Sequence, residues 1–352
     1  MVTIREKLQM NIFTKICLAL ISLSTLNANV EKSIITTLDT LRLIKNIDPK
    51  KYSQNQYKVI SDALEHKTSI IRVATYNMMF DRYDHLLPAP YRWNERIKRL
   101  VAMIEDMHAD LICFQELYPK QISELLDEIG DDYVLAGPIP CQDEDPQEVN
   151  GIFIRKGRFQ CQKVSTWYIS ETPKEPSSDP FSKEQKTVTE AHLTDWVSGK
   201  ELVVLSTHTT FGSADSREYA AKTLANYIEP ICKTKPVILA GDFNSFASRV
   251  DEPLLPFYDG NYMLKILTSK SLRNSRDAAL IGTLGPLSTY TNKDGALMPF
   301  QGSGTPGVFL DHIFVAGPLL VLLQAVQPAT VSGHYASSHM PVVIDCINFQ
   351  ET

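Results

Sequence analysis

The chain has 352 residues, 43% of them hydrophobic, and a formal net charge of -6. That length and apolar content support one large core, or at most two domains. The acidic balance gives a polyanion such as DNA no general electrostatic attraction. The N-terminus reads as a targeting segment. Arg5, Lys7 and Lys15 precede an apolar run from Ile16 to Leu26, interrupted at Ser22, Ser24 and Thr25 and closed by Ala28. A basic stretch, an apolar stretch and a small residue make a secretory signal peptide over residues 1–28, with Met10 as an alternative start. The run is too short to span a bilayer comfortably. Its removal takes away three basic residues and one acidic residue, which leaves a net charge of -8. The expectation is an exported protein in the periplasm, on the cell surface or in the medium. A monomer without a transmembrane span is expected.

Residues 29–68 carry no chemical motif. Ile34, Ile35, Leu38, Leu41, Leu43 and Ile44 are spaced as on an amphipathic helix, and 57–64 allows a second. This stretch reads as a helical lead-in packing on a main domain over 69–352, with a partner-binding arm as the alternative. Residues 69–77 form the first strong strand pattern and end in Asn77. Trp93 opens a helix whose apolar residues are Ile97, Leu100, Val101, Ile104 and Met107, one buried stripe. Arg96, Lys98 and Arg99 on that helix read as a solvated basic face. Residues 109–116 form a second apolar strand ending in Glu116, followed by a helix over 119–129. Strand, helix, strand, helix in succession predicts an α/β fold.

Further strands are predicted over 150–155 and 159–167, then a polar, Pro- and Ser-rich loop over 170–185. Long loops of this kind tend to be functional or mobile. Residues 186–193 and 201–208 predict a hairpin turned at Ser198-Gly199-Lys200, and its second strand ends in His208. A helix over 214–231 is expected to be capped by Asp215 or Ser216. The apolar strand after Lys235-Pro236 stops at Gly241, and Asp242 and Asn244 follow two residues apart. Residues 308–315 read as a strand containing Asp311. His339 precedes the closing strand 342–347. No internal repeat is present.

Six cysteines occur, and Cys17 falls in the targeting segment. The other five are odd in number, widely spaced and free of CxxC pairs, so no zinc site is indicated. Cys113 and Cys346 sit in apolar strand patterns and read as buried thiols. Cys141 and Cys161 are candidates for pairing in an oxidising compartment.

Asn77, Glu116, His208, Asp242 with Asn244, Asp311 and His339 thus stand at or near strand ends. Each has a plain structural alternative. Asn77 could cap a turn, Glu116 could be a surface acid, His208 a satisfied core histidine, and Asp311 a partner of His312. Together they point to a site at one edge of an α/β sheet. A carboxylate beside a carboxamide can hold a water and bond a phosphate oxygen.

The motifs Thr75-Tyr76-Asn77, Phe114-Gln115-Glu116, Ser206-Thr207-His208, Gly241-Asp242-Phe243-Asn244, Leu310-Asp311-His312-Ile313 and Ser338-His339-Met340-Pro341 resemble the endonuclease/exonuclease/phosphatase superfamily. The resemblance covers about residues 70–348. It implies a four-layer α/β sandwich, two packed mixed β-sheets flanked by helices. It also implies a divalent metal, magnesium or manganese, held by Glu116 with Asn77 beside it. Hard cations prefer such oxygen ligands. In the resemblance Asp242 and Asn244 position the attacking water and a phosphate oxygen. His339, oriented by Asp311, takes a proton or holds the phosphate, and His208 donates to the phosphate.

One position departs from the family pattern. Ser338 stands where an aspartate usually precedes the histidine, and a hydroxyl is a poorer magnesium ligand than a carboxylate. The expected function is an exported metal-dependent hydrolase of a small-molecule or lipid-headgroup phosphoester. The alternatives are a nuclease, disfavoured by the charge, and a catalytically weakened binding module, motivated by Ser338. Ala240 and Phe309-Leu310-Asp311 depart from the inositol 5-phosphatase motifs, which disfavours that subclass.

Overall fold

The structure is a computed structural model that describes residues 54, 58, 60–61, 70–138, 148–245, 262–286, 288–291, 309–327 and 334–349. The targeting segment with Met10, most of the helical lead-in, Cys141 and Val308 lie outside the described residues. Of the lead-in, residues 54, 58, 60 and 61 are helical. Ile60 is buried with Ile70, Leu320, Leu322 and Ile347.

The elements run in this order: β1 (Ile70–Asn77), α1 (Trp93–Met107), β2 (Leu111–Leu117), α2 (Pro119–Ile129), β3 (Tyr133–Ala136), β4 (Val149–Arg155) and β5 (Phe159–Tyr168). Then come β6 (Thr187–Asp195), β7 (Glu201–His208), α3 (Ala214–Ile231), β8 (Val237–Asp242), α4 (Tyr262–Thr268), β9 (Arg273–Asn274) and α5 (Ser275–Ala278). The last are β10 (Thr283–Leu284), β11 (Asp311–Ala316), β12 (Leu319–Val326) and β13 (Val342–Asn348). Two mixed sheets result, of seven strands in the order β10-β12-β13-β1-β2-β4-β3 and six in the order β5-β6-β7-β8-β11-β9.

Alternation along the strands builds the layers. Ile71 and Val73 of β1, Leu111 and Cys113 of β2, Ile238 and Ala240 of β8, and Ile313 and Val315 of β11 share one cluster between the sheets. The opposite face of the first sheet, Ala74, Tyr76, Ile112 and Phe114, packs on Leu100, Ile104, Ile122 and Leu125 of α1 and α2. The opposite face of the second, Val203, Leu205 and Leu239, packs on Ala221, Leu224 and Ile228 of α3. Helix, sheet, sheet and helix make the four-layer sandwich.

Most predicted elements stand where the patterns placed them, including α2 and the antiparallel β6–β7 hairpin, whose Gly199 takes φ +71°. Cys113 and Cys346 are buried, as expected, and Cys161 is an exposed free thiol. Three expectations need correction. Helix α3 is capped by Ser213, whose side chain accepts from Ser216 N at 3.1 Å, and not by Asp215 or Ser216. Asp311 opens its strand instead of lying inside it. The basic face of α1 is only partly solvated: Lys98 is exposed as expected, but Arg96 and Arg99 are 1% and 8% exposed.

The arginines are buried because they serve backbone acceptors. Arg96 donates to the carbonyls of Met78 at 2.9 Å, Met79 at 2.8 Å, Tyr91 at 3.0 Å and Ala336 at 3.3 Å. Arg99 donates to the carbonyls of Tyr335 and Pro90. Burial lowers the Arg96 pKa to about 10, which still leaves it charged at neutral pH.

Candidate active site

Inward positions near the strand ends have no opposing apolar layer, because the sheets end there. Asn77, His208 and Asp242 close β1, β7 and β8, which each end at their C-terminus on this edge. Asp311 begins β11 and pairs with Asp242 across antiparallel strands. His208 pairs with Asp242 across parallel strands. Strand parity therefore aims Asn77, His208, Asp242 and Asp311 into the mouth between the sheets.

Glu116 does not follow that parity. Leu111 and Cys113 face the other sheet, whereas Ile112 and Phe114 face the helices. Alternation alone would send Glu116 toward the helices. The β2–β4 register shifts between Phe114 and Leu117, and Glu116 takes φ +59°. This irregularity re-aims the carboxylate, and Glu116 Oε1 accepts from Asn77 Nδ2 at 2.9 Å. Asn244 (φ +47°) and Met79 (φ +57°) are also left-handed. Such conformations are uncommon for Glu and Met, though Asn adopts them more readily, and strained ones concentrate at functional sites.

Asp242 is the centre. Its Oδ2 accepts from Asn77 Nδ2 at 3.0 Å, and Oδ1 accepts from Asn244 N at 2.9 Å. Oδ2 is 3.7 Å from both His208 Nε2 and His339 Nε2. His339 Nδ1 is 2.8 Å from Asp311 Oδ2, so the carboxylate orients the ring. Burial and Lys186 pull the His208 pKa down, and Glu148 with Asp242 more than offsets them. For His339, burial lowers the pKa and Asp311 and Asp242 raise it further, to about 9. Burial raises that of Asp311. Both imidazoles are thereby biased toward the doubly protonated form that donates hydrogen bonds.

The structure brings together every residue singled out in the sequence: Asn77, Glu116, His208, Asp242, Asn244, Asp311 and His339. The alternative pairing of Asp311 with His312 does not occur. His312 lies on the opposite face, packs near Phe243, Phe309 and Phe314, and bonds Ser245 O through Nε2 at 2.9 Å. Burial lowers its pKa to about 4, so it is a neutral structural histidine.

Glu148 and its partner Lys186 escaped the sequence reading. Glu148 Oε1 lies 3.1 Å from His208 Nδ1 and 3.0 Å from Lys186 Nζ. His208 thus carries a carboxylate behind it, as His339 carries Asp311. Glu148 pays a burial penalty, but the two cations hold its pKa below the usual carboxylate range. In the sequence it is one acid in the run 143–148, and only its place before β4 sets it apart.

The donor set fits a hard divalent cation. Glu116, Glu148 and His208 have ligand atoms within 4.8 Å of one another, and so do Asp242, Asp311 and His339. Asp311 Oδ1 is buried without a hydrogen-bond partner. Asn77 Oδ1 accepts only Met79 N among the bonds described, at 3.0 Å, and retains a second lone pair. Ser338 is buried, and its carbonyl accepts from Thr291 N at 2.6 Å. A bound magnesium or manganese would supply Lewis-acid charge to a phosphoryl oxygen.

Comparison with known proteins gives the same answer as the geometry. Residues 74–339 match the model of the Endonuclease/Exonuclease/phosphatase family. No curated protein matches the chain. Among solved structures, a conserved protein of unknown function from Enterococcus faecalis V583 is 19% identical, with a TM-score of 0.66 over 79% of this chain and 100% of that one. An endonuclease/exonuclease/phosphatase from Bacteroides vulgatus is 22% identical, with a TM-score of 0.65 over 79% and 98%. The mannosyl-6-phosphatase of Bacteroides thetaiotaomicron VPI-5482 is 21% identical, with a TM-score of 0.64 over 79% and 99%. At such identities these structures establish the shared fold. With the family model spanning the site from β1 to His339, the chain belongs to the endonuclease/exonuclease/phosphatase family and is a phosphoester hydrolase.

Proposed function

We propose that the protein is an exported, magnesium- or manganese-dependent hydrolase of small-molecule or lipid-headgroup phosphoesters. The observation that carries the reading is the pair of imidazole Nε2 atoms, each 3.7 Å from Asp242 Oδ2, beside the Glu116–Asn77 pair. Two donors flanking one acceptor fit a water attacking a phosphorus whose oxygens gain charge. Asp242 and Asn244 hold the water and Asp242 draws its proton. His208 and His339 donate to the phosphoryl oxygens. The P–O bond to the leaving group breaks, and the leaving oxygen takes a proton, for which His339 is placed. Glu116 and Asn77 hold the metal.

The net charge of -6 favours a small substrate over a nucleic acid. A structural neighbour named as a mannosyl-6-phosphatase supports a small phosphoester. The basic and apolar N-terminus supports export. The test is a panel of a generic monoester, a generic diester, plasmid DNA, RNA and sphingomyelin, with each metal and with EDTA. A small ester or sphingomyelin should be hydrolysed, with activity lost in EDTA. Glu116→Gln should keep the fold and raise the half-saturating metal concentration at least tenfold. Hydrolysis of plasmid DNA or RNA alone would make the protein a nuclease. Inactivity on the whole panel would favour a binding module.

A further inference from the structure

The loops that leave the two metal-ligand strands carry aromatic rings. Phe80 is the third residue after Asn77, and Tyr118 the second after Glu116. The Phe80 and Tyr118 rings are stacked, with centroids 5.6 Å apart and planes at 28°. Tyr83 leans on Phe80 at 5.5 Å and 60°, and is 49% exposed. The Phe80 and Tyr118 rings are themselves only partly buried.

The backbone that carries the rings is pinned. Left-handed Met79 turns the chain just before Phe80. Gln121, fully buried, accepts from Tyr118 N at 3.1 Å and donates to Met79 O at 3.4 Å, so one side chain pins both loops. Arg96 also holds Met78 O and Met79 O. Tyr83 is fixed through the short helical turn after it, where Leu86 N donates to Tyr83 O at 2.9 Å. A solvent-accessible aromatic surface on pinned backbone costs less ordering on binding and favours a flat ligand face.

We propose that Phe80, Tyr83 and Tyr118 form a shelf for a planar ring on the leaving group, so that the preferred substrates are phosphoesters of ring-bearing alcohols. This rests on the hydrolase reading above and narrows it. The ring binds by stacking, which tolerates different ring identities, so an aryl group and a nucleobase share the chemistry. A flexible alkyl leaving group gains less, because it has no flat face to present.

The experiment compares p-nitrophenyl phosphate, adenosine 5′-monophosphate and glycerol 3-phosphate, with wild type, Tyr83→Leu and Tyr118→Leu. The first two arms separate an aryl group from a nucleobase. Wild type should prefer at least one ring-bearing ester over glycerol 3-phosphate. Each variant should reduce that preference in kcat/KM about tenfold, mostly through KM. Tyr83 is half exposed and tests the shelf even if Tyr118→Leu fails to fold. An unchanged preference in Tyr83→Leu would overturn the shelf and leave the hydrolase reading intact. If wild type hydrolyses none of the three, calorimetric binding of the same compounds in EDTA decides separately. Ring-selective binding lost in Tyr83→Leu supports the shelf, and equal binding of ring and glycerol compounds overturns it.

Discussion

His339 and Asp311 form a buried ion pair at 2.8 Å, with side chains 6% and 0% exposed. The imidazolium has lost its water, and the carboxylate more than offsets that loss. A folded pKa raised from 6.5 to about 9 has a defined linkage sign. The stabilisation is fully present below about pH 6.5 and is lost as pH rises through about 9. In EDTA, the unfolding free energy from urea titrations should therefore fall across that window. Asp311→Asn removes the anion that holds the proton, so burial then dominates and the fall should be shallower. Equal slopes in the two proteins would show that the pair does not retain the proton. The neighbouring Ser338 contributes no carboxylate, so among the described residues a metal would rely on Glu116 and the acids around it.

At the scale of elements, α1 is tied to the segments carrying Asn77 and His339 through its buried arginine. Met78 and Met79 follow Asn77, and Ala336 lies three residues before His339; Arg96 bonds the carbonyls of all three. Ser337 Oγ also donates to Asn77 O at 2.6 Å, tying the same two segments together. A helix thus sets the separation of a proposed metal ligand and a proposed proton donor. Arg96→Lys keeps a positive charge, but one ammonium lacks the planar fork that reaches several carbonyls. Leaving a buried acceptor unpaired costs about 1–3 kcal/mol. The variant should melt earlier and lose roughly tenfold or more in kcat/KM, as geometric errors near 1 Å do. Wild-type kcat/KM in a folded Arg96→Lys protein would make the clamp purely structural. Gly241 shows a similar coupling between β7 and β8, since a Cβ there would meet Thr207 O at 2.0 Å.

For the whole molecule, two sheets of one sandwich each supply part of the site. β1 and β2 bring Asn77 and Glu116, whereas β7, β8 and β11 bring His208, Asp242 and Asp311. The shared core of Val73, Cys113, Ala240 and Ile313 fixes one sheet against the other below the site. Among the described residues, no helix is long and apolar enough to cross a membrane. The proposed export therefore rests on the N-terminal segment, which should be cleaved. Mass spectrometry of the exported protein should find a start near Asn29. An intact Met1 or Met10 in that pool would refute cleavage.

The sequence by itself determined the α/β class and most of the site, and the four layers followed only from the family resemblance of its motifs. Short continuous apolar runs named the strands, period-3.6 stripes named α1, and polar residues ending those strands named Asn77, His208 and Asp242. These features are local, so they are legible without coordinates. The fully apolar β12 went unread, because no polar residue of interest ends it and a buried run by itself does not tell a strand from a buried helix. Tertiary structure alone decided the remainder. Arg96 and Arg99 look like a solvated face until the carbonyls they satisfy, up to 240 residues away, are brought to them. Glu148 becomes a site residue only when β4 and β6 bring it between Lys186 and His208. Glu116 reaches Asn77 only because a bulge and a left-handed backbone override strand parity. Each depends on partners distant in the chain, and a one-dimensional pattern carries no information about which buried acceptors a side chain will meet.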